Sequence, residues 1–167
     1  NSFGSTVAII SDGMGTGGRA AVDGNMAVAI MTKLCKAGLS YDCALQVVNS
    51  ALMVKSEDES LATLDIADIN LFTGKVTLLK AGSPLTYIKK NGNIVKKQAE
   101  SLPAGILTDI KFSKETITLS AGDWIIMISD GAVQKDDMWL TSLIKSWNEA
   151  DASELAQRIV KEASNRR

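Results

Sequence analysis

The rhythm of apolar and polar positions changes part-way along the chain, and that change outlines its elements. Val7–Ile10 is a short apolar run, a candidate buried strand. A glycine-rich stretch, Gly13–Gly18, follows it. From Arg19 to Lys36 the spacing predicts a helix through Val22, Met26, Ile30 and Leu34, with Gly38 placed to stop it. Further apolar residues lie between these, so the helix is expected to be buried on more than one side. A subunit interface is one way to cover the second side. Ser40 is positioned to cap a second helix over 41–54, whose inner stripe is Leu45, Val48 and Leu52. Lys55–Ser60 is charged and predicts a loop.

After that the period becomes that of strands. Leu61–Leu71 and Lys75–Ala81 flank a turn at Thr73-Gly74, and Leu85–Lys90 and Asn93–Gln98 flank Asn91-Gly92, a strong hairpin signal. Leu102–Leu107 predicts a loop. Glu115–Leu119 and Trp124–Ile128 are expected to pair around Ala121-Gly122-Asp123. Two helices close the chain, one with Trp139, Leu143 and Trp147 at helical spacing. The other opens with Asp151 three residues before Glu154, in the manner of a capping box, and carries Leu155, Ile159 and Ala163 on its inner face. The expected class is α+β: two antiparallel β-sheets flanked by helices. No repeat, low-complexity tract or linker interrupts the chain, so one domain over 1–167 is expected.

Composition narrows the chemistry. The 167 residues carry a formal net charge of -1, which gives no electrostatic footprint for nucleic acid. No apolar run is long enough to span a membrane. Cys35 and Cys43 lack zinc-type spacing and are read as buried, unpaired thiols of a reducing compartment. The chain has no His. That removes Ser-His-Asp and Cys-His machinery, His-ligated zinc and a His general base. Catalysis would have to use carboxylates, hydroxyls, Lys or Arg, backbone groups, or metals held by oxygen.

Ile-Ser-Asp-Gly occurs twice, at Ile10–Gly13 and Ile128–Gly131, each behind an apolar strand. Taken singly, each Asp-Gly is an ordinary turn. Both strands are apolar and therefore expected to be central. If they are neighbours, Asp12 and Asp130 converge at one sheet edge, and two carboxylates in a partly buried place repel unless a cation lies between them. Mg²⁺ and Mn²⁺ favour such oxygen ligands. Gly13 and Gly131 would keep the backbone slim enough for a carbonyl or water to reach the ion. Gly13, Gly15 and Gly18 also fit the dinucleotide-binding spacing. The context argues against that reading, because a second helix follows where a parallel strand is required. These glycines then form either a turn into the helix or a loop beside a metal-bound phosphate.

Ile10-Ser-Asp-Gly-Met-Gly-Thr-Gly-Gly-Arg-Ala-Ala resembles the signature of the phosphatase domain of stage II sporulation protein E, in the metal-dependent, type 2C class of protein serine/threonine phosphatases. Leu61-Ala-Thr-Leu-Asp65, Lys80-Ala-Gly-Ser-Pro84, Leu102-Pro-Ala-Gly-Ile106 and Met127-Ile-Ser-Asp-Gly131 resemble further blocks of that family, in order and over nearly the whole chain. The resemblance implies a β-sandwich flanked by helices and a site for two Mn²⁺ or Mg²⁺ ions. In it Asp12 bridges the ions, the Gly13 carbonyl helps hold one, and Asp130 binds one. Asp12 and Asp130 are the expected catalytic residues. The implied substrate is a phosphorylated anti-sigma-factor antagonist whose dephosphorylation releases a sporulation sigma factor. A homodimer through the helices over 19–54, which also act as a switch, is implied as well. So is a cytoplasmic domain of a membrane-anchored parent.

The family has another metal-binding Asp on a strand before Val7 and one in an Asp-Asp-x-Thr-Val-like strand near its C-terminus; residues 1–167 contain neither. The expectation is a domain incomplete at both ends, with a partial ligand set and weak or absent metal binding in this form. The alternatives are a catalytically weak interaction module with the phosphatase fold and, less favoured, a nucleotide-binding domain. Thr63 and Asp65 are expected on a strand in structural roles, Asp65 bonding backbone near the site. Arg19 is expected to be a solvated first-turn residue, Ser83-Pro84 a turn, and Trp139 and Trp147 packing residues.

Overall fold

A computed structural model describes residues 4–55, 60–98, 100–133 and 136–166. The elements are β1 (Ser5–Ile10), α1 (Gly18–Lys36), α2 (Tyr41–Lys55), β2 (Leu64–Asn70), β3 (Lys75–Ala81), β4 (Thr86–Lys90), β5 (Asn93–Lys97), β6 (Ser113–Thr118), β7 (Trp124–Met127), α3 (Met138–Ser146) and α4 (Ala152–Ser164). A single 3₁₀ turn, Asp130–Ala132, lies between β7 and α3. The chain divides into two compact units, residues 1–84 with 99–118, and residues 85–98 with 119–167.

The first unit holds a four-stranded antiparallel sheet in the order β1-β2-β3-β6. Helices α1 and α2 cover one face of it. Ala27 and Met31 of α1 and Leu45, Val48 and Leu52 of α2 share a core with Leu64, Ile66, Leu79 and Ala81. Each large side chain buried there contributes about 1.5–3 kcal/mol. The β2–β3 turn is held by Asn70, whose Oδ1 accepts the amides of Phe72 and Thr73 at 3.0 Å each. Helix α1 stops at Gly38, whose φ of +91° few other residues tolerate. The Ser40 hydroxyl accepts the Cys43 amide at the start of α2, as a cap should.

The second unit holds a three-stranded antiparallel sheet, β5-β4-β7, and helices α3 and α4. Asn91 and Gly92 both take positive φ, which fits the turn their sequence signals. Its core gathers Tyr87, Ile126, Ile128, Leu140, Ile144, Leu155 and Ile159, with Trp139 and Trp147 packed against it as expected. Asp151 caps α4 by accepting the amides of Ser153 and Glu154.

Four expectations need correction. The segments over 115–119 and 124–128 are strands but not partners: β6 pairs with β3 and β7 with β4. The five residues between β6 and β7, 119–123, connect two sheets and make no hairpin. β1 and β7 are not central; among the described residues each ends its own sheet. Helix α1 buries a single stripe, Ala20, Asp23, Gly24, Ala27 and Met31, while Val22 is exposed. Cys43 is exposed and Cys35 half-buried; neither is fully buried, and neither forms a disulfide. The loop expected over 55–60 falls mostly outside the described residues, with Lys55 closing α2.

Candidate metal centre

Beyond Ile10 the chain keeps pairing without continuing the regular strand. Thr63 N–H donates to the Asp12 carbonyl at 2.8 Å, and Met14 N–H donates to the Leu61 carbonyl at 2.9 Å. These two bonds bracket an antiparallel bridge between Gly13 and Ala62. In a pair of this kind the residue's own N–H and carbonyl point away from its partner. The Gly13 carbonyl is thus directed to the side of the strand opposite Ala62. Thr63 adds side-chain bonds: its Oγ1 accepts the Asp12 amide at 3.0 Å, and the Ser11 hydroxyl donates to the Thr63 carbonyl at 2.6 Å. Asp12, half-buried, therefore stands on a backbone fixed from both ends.

Helix α1 lies directly on this strip. A Cβ on Gly13 would overlap the Ala20 carbonyl, and one on Gly24 would fall 2.9 Å from the Gly13 nitrogen. The sequence reading of Gly13 as clearance for an ion is amended here. The room its missing side chain leaves is filled by the helix backbone. Asp23, buried next to Gly24, is ion-paired with Lys55 at the end of α2.

Asp130 opens the 3₁₀ turn after β7, where Val133 N–H donates to the Asp130 carbonyl at 3.1 Å. Its side chain is exposed. The two Ile-Ser-Asp-Gly segments thus place their carboxylates alike, just past the end of a strand. They do so on different sheets, in different units, so the neighbouring-strand argument fails.

In the first unit Asp12-Gly13 offers a carboxylate and a carbonyl; in the second unit Asp130 offers a carboxylate, so all of these candidate donors are oxygen. Among the described residues no cluster of three or more His, Cys, Asp or Glu forms. Hard cations suit this set: Mg²⁺ typically sits on one or two carboxylates and keeps several waters. The chemistry of the Asp12-Gly13 donors by themselves suits a divalent ion that keeps several waters.

Sequence reasoning missed a second polar feature. Asp65 is 1% and Lys80 3% exposed, and Lys80 Nζ donates to Asp65 Oδ2 at 2.7 Å. The ammonium also donates to the Pro84 carbonyl at 2.7 Å and to Ser83 Oγ at 3.3 Å, so Ser83-Pro84 does more than turn the chain. Burial lowers the Lys80 pKa, and the Asp65 carboxylate pulls it back upward. Asp65 is thus bonded to the Lys80 side chain, a partner not foreseen from the sequence. The turn at Thr73-Gly74 held the signal. Ile69 pairs with Val76, so Asp65, four residues before, pairs with Lys80, four residues after.

Beyond Gly13, which is buried, the glycine stretch is an exposed turn. Gly15 and Gly17 have φ of +110° and +84°, α1 begins at Gly18, and Arg19 is exposed in its first turn. Every strand pairing among the described residues is antiparallel, which overturns the dinucleotide-binding reading.

The model of the stage II sporulation protein E (SpoIIE) family matches residues 2–167. The chain belongs to the SpoIIE family. Stage II sporulation protein E of Bacillus subtilis (strain 168) is 34% identical over 161 residues, which are 93% of this chain and 20% of that protein. The chain therefore spans about a fifth of the length of that SpoIIE relative. The solved PP2C phosphatase domain of B. subtilis SpoIIE, with a fragment of its regulatory domain, superposes with a TM-score of 0.85 at 32% identity, covering 98% of this chain and 50% of that one. The fold of this SpoIIE-family chain is accordingly the PP2C fold. A structure of the B. subtilis SpoIIE phosphatase domain presoaked with Mn matches at a TM-score of 0.55 and 28% identity, over 98% of this chain and 78% of that one.

Proposed function

We infer that this chain is the catalytic part of a metal-dependent protein serine/threonine phosphatase. Its substrate class is the phosphoserine of an anti-sigma-factor antagonist in sporulation control. The observation that carries the reading is the Asp12-Gly13 strip, an oxygen-donor pair fixed by Thr63 and overlaid by α1, in a SpoIIE-family chain with the PP2C fold. Asp12, the Gly13 carbonyl and Asp130 would hold Mn²⁺ or Mg²⁺. Divalent ions supply this reaction with a nucleophilic water at neutral pH and with neutralisation of the phosphate charge. The protein's part is to keep the Asp12 carboxylate on a rigid backbone and to present a site without a His base. Because α1 rests on Gly13, displacement of that helix would alter the site, which supports regulation through the helices over 19–54. The same helices expose Val22, Val47, Met53 and Val54, which supports a homodimer through them.

The test is Mn²⁺-dependent release of phosphate from the phosphorylated antagonist by the domain extended at both ends. Asp12→Asn and Asp130→Asn should each lower the rate at least about a hundredfold, and chelation should abolish it. Unchanged rates in both variants would sink the site assignment. Absence of both tight Mn²⁺ binding and turnover in the longer protein would favour a phosphatase-fold interaction module instead.

A further inference from the structure

Asn49 lies in the middle of α2 and is fully buried. A buried amide in a helix interior is costly unless its polar atoms are paired. Here they are paired, with every short bond directed at one loop; Nδ2 also lies 3.8 Å from Met53 Sδ within α2. Asn49 Oδ1 accepts the Gly105 amide at 2.7 Å, and Nδ2 donates to the Leu107 carbonyl at 2.7 Å and the Thr108 carbonyl at 3.4 Å. Gly105 has φ of +97°, and a Cβ there would overlap the Ser60 carbonyl. The loop is thus clamped between α2 and the strip that begins at Ser60.

The next residue back continues the connection. Ala104 and Ala62 exchange both backbone bonds, Ala62 N–H to the Ala104 carbonyl at 3.0 Å and Ala104 N–H to the Ala62 carbonyl at 2.8 Å. Ala62 is the partner of Gly13, and its neighbours Leu61 and Thr63 make the bonds that hold Asp12 and Met14. A continuous hydrogen-bonded path therefore runs from Asn49, through Gly105-Ala104 and Ala62, to Asp12-Gly13. Both alanines are fully buried, so water cannot replace a bond lost from the path.

We propose that Asn49 is a positioning residue for the Asp12-Gly13 strip, acting through the Ala104–Ala62 bridge. In function the proposal rests on the metal-site reading. In structure it stands on its own, and its test separates the two. Gln46, one turn earlier on α2, is an internal control. Its Nε2 donates to the Ile110 carbonyl at 2.7 Å, a bond of the same length and type that lands outside the path.

Amide hydrogen exchange on the metal-free protein reads the path directly. Asn49→Ala should speed exchange at Met14, Ala62, Thr63 and Ala104 about tenfold relative to Ile66 in β2, which reports global opening. Gln46→Ala should leave that ratio unchanged. If Asn49→Ala does not fold, Asn49→Asp replaces it. That variant keeps an oxygen opposite the Gly105 amide, loses the donor to the Leu107 and Thr108 carbonyls, and should also speed exchange at the same four amides. Equal effects from the position-49 and position-46 variants, or no effect from either, overturn the proposal. In the longer protein, Asn49→Ala should also weaken apparent Mn²⁺ affinity about tenfold. If the wild type binds no Mn²⁺, the metal reading fails while the exchange data still decide the positioning role.

Discussion

At the scale of single residues, the most consequential charge is one that sequence inspection passed over. Lys80 is buried with all three of its donors directed at acceptors, one of them the Asp65 carboxylate. Removing one partner of such a pair leaves a buried charge without its counter-ion. Lys80→Met should therefore cost about 3–5 kcal/mol in urea unfolding, whereas Lys80→Met with Asp65→Leu should recover most of the loss. A second polar cluster gives a pH dependence. Lys96 donates to Asp137, as does the Tyr87 hydroxyl, and these bonds hold the Asp137 carboxyl below its ordinary value, while burial opposes them. A depressed carboxyl contributes stability that is fully present above its unfolded pKa of about 3.9 and is lost as pH falls through its folded value. Thermal melts from about pH 2 to about pH 5 should show a shallower acid loss in Asp137→Asn than in the wild type.

At the scale of elements, two glycines decide how α1 meets the Asp12-Gly13 strip. Ala in place of Gly24 would gain about 1 kcal/mol of helix propensity. Its Cβ would also fall 2.9 Å from the Gly13 nitrogen, and overpacking of that kind costs about 1–3 kcal/mol. The clash should win, so Gly24→Ala lowers the melting temperature although Ala is the better helix former. Asp151→Ala, which removes both capping bonds of α4, should cost about 1 kcal/mol. Much of this level was legible in the sequence. The order of the helices and strands, the Ser40 and Asp151 caps, the Asn91-Gly92 hairpin and the two post-strand aspartates all lie where local patterns placed them, whereas the buried stripe of α1 does not. What local patterns cannot carry is which strands share a sheet. The segment around Ala121-Gly122-Asp123 has the composition of a hairpin turn, yet its flanking strands pair with β3 and β4, choices made by side chains far away in sequence. The Asn49 connection was hidden for the same reason, since its partners lie more than 50 residues along the chain.

At the scale of the whole molecule, the chain passes between its two units three times, at 84–85, 98–99 and 118–119. The second unit is therefore assembled from two separate stretches. Residues 119–166 alone would lack β4, with which β7 pairs, and should show no cooperative unfolding by circular dichroism. Joining 85–98 to them through a flexible linker should restore it. The buried Lys80 has a further use. An amine-reactive reagent needs access to a lysine nitrogen before it can modify it, and that nitrogen is closed off while the first unit stays folded. Exposed lysines would label at once and Lys80 only on opening, so the mass of one peptide against time would give the opening rate of the unit that carries Asp12.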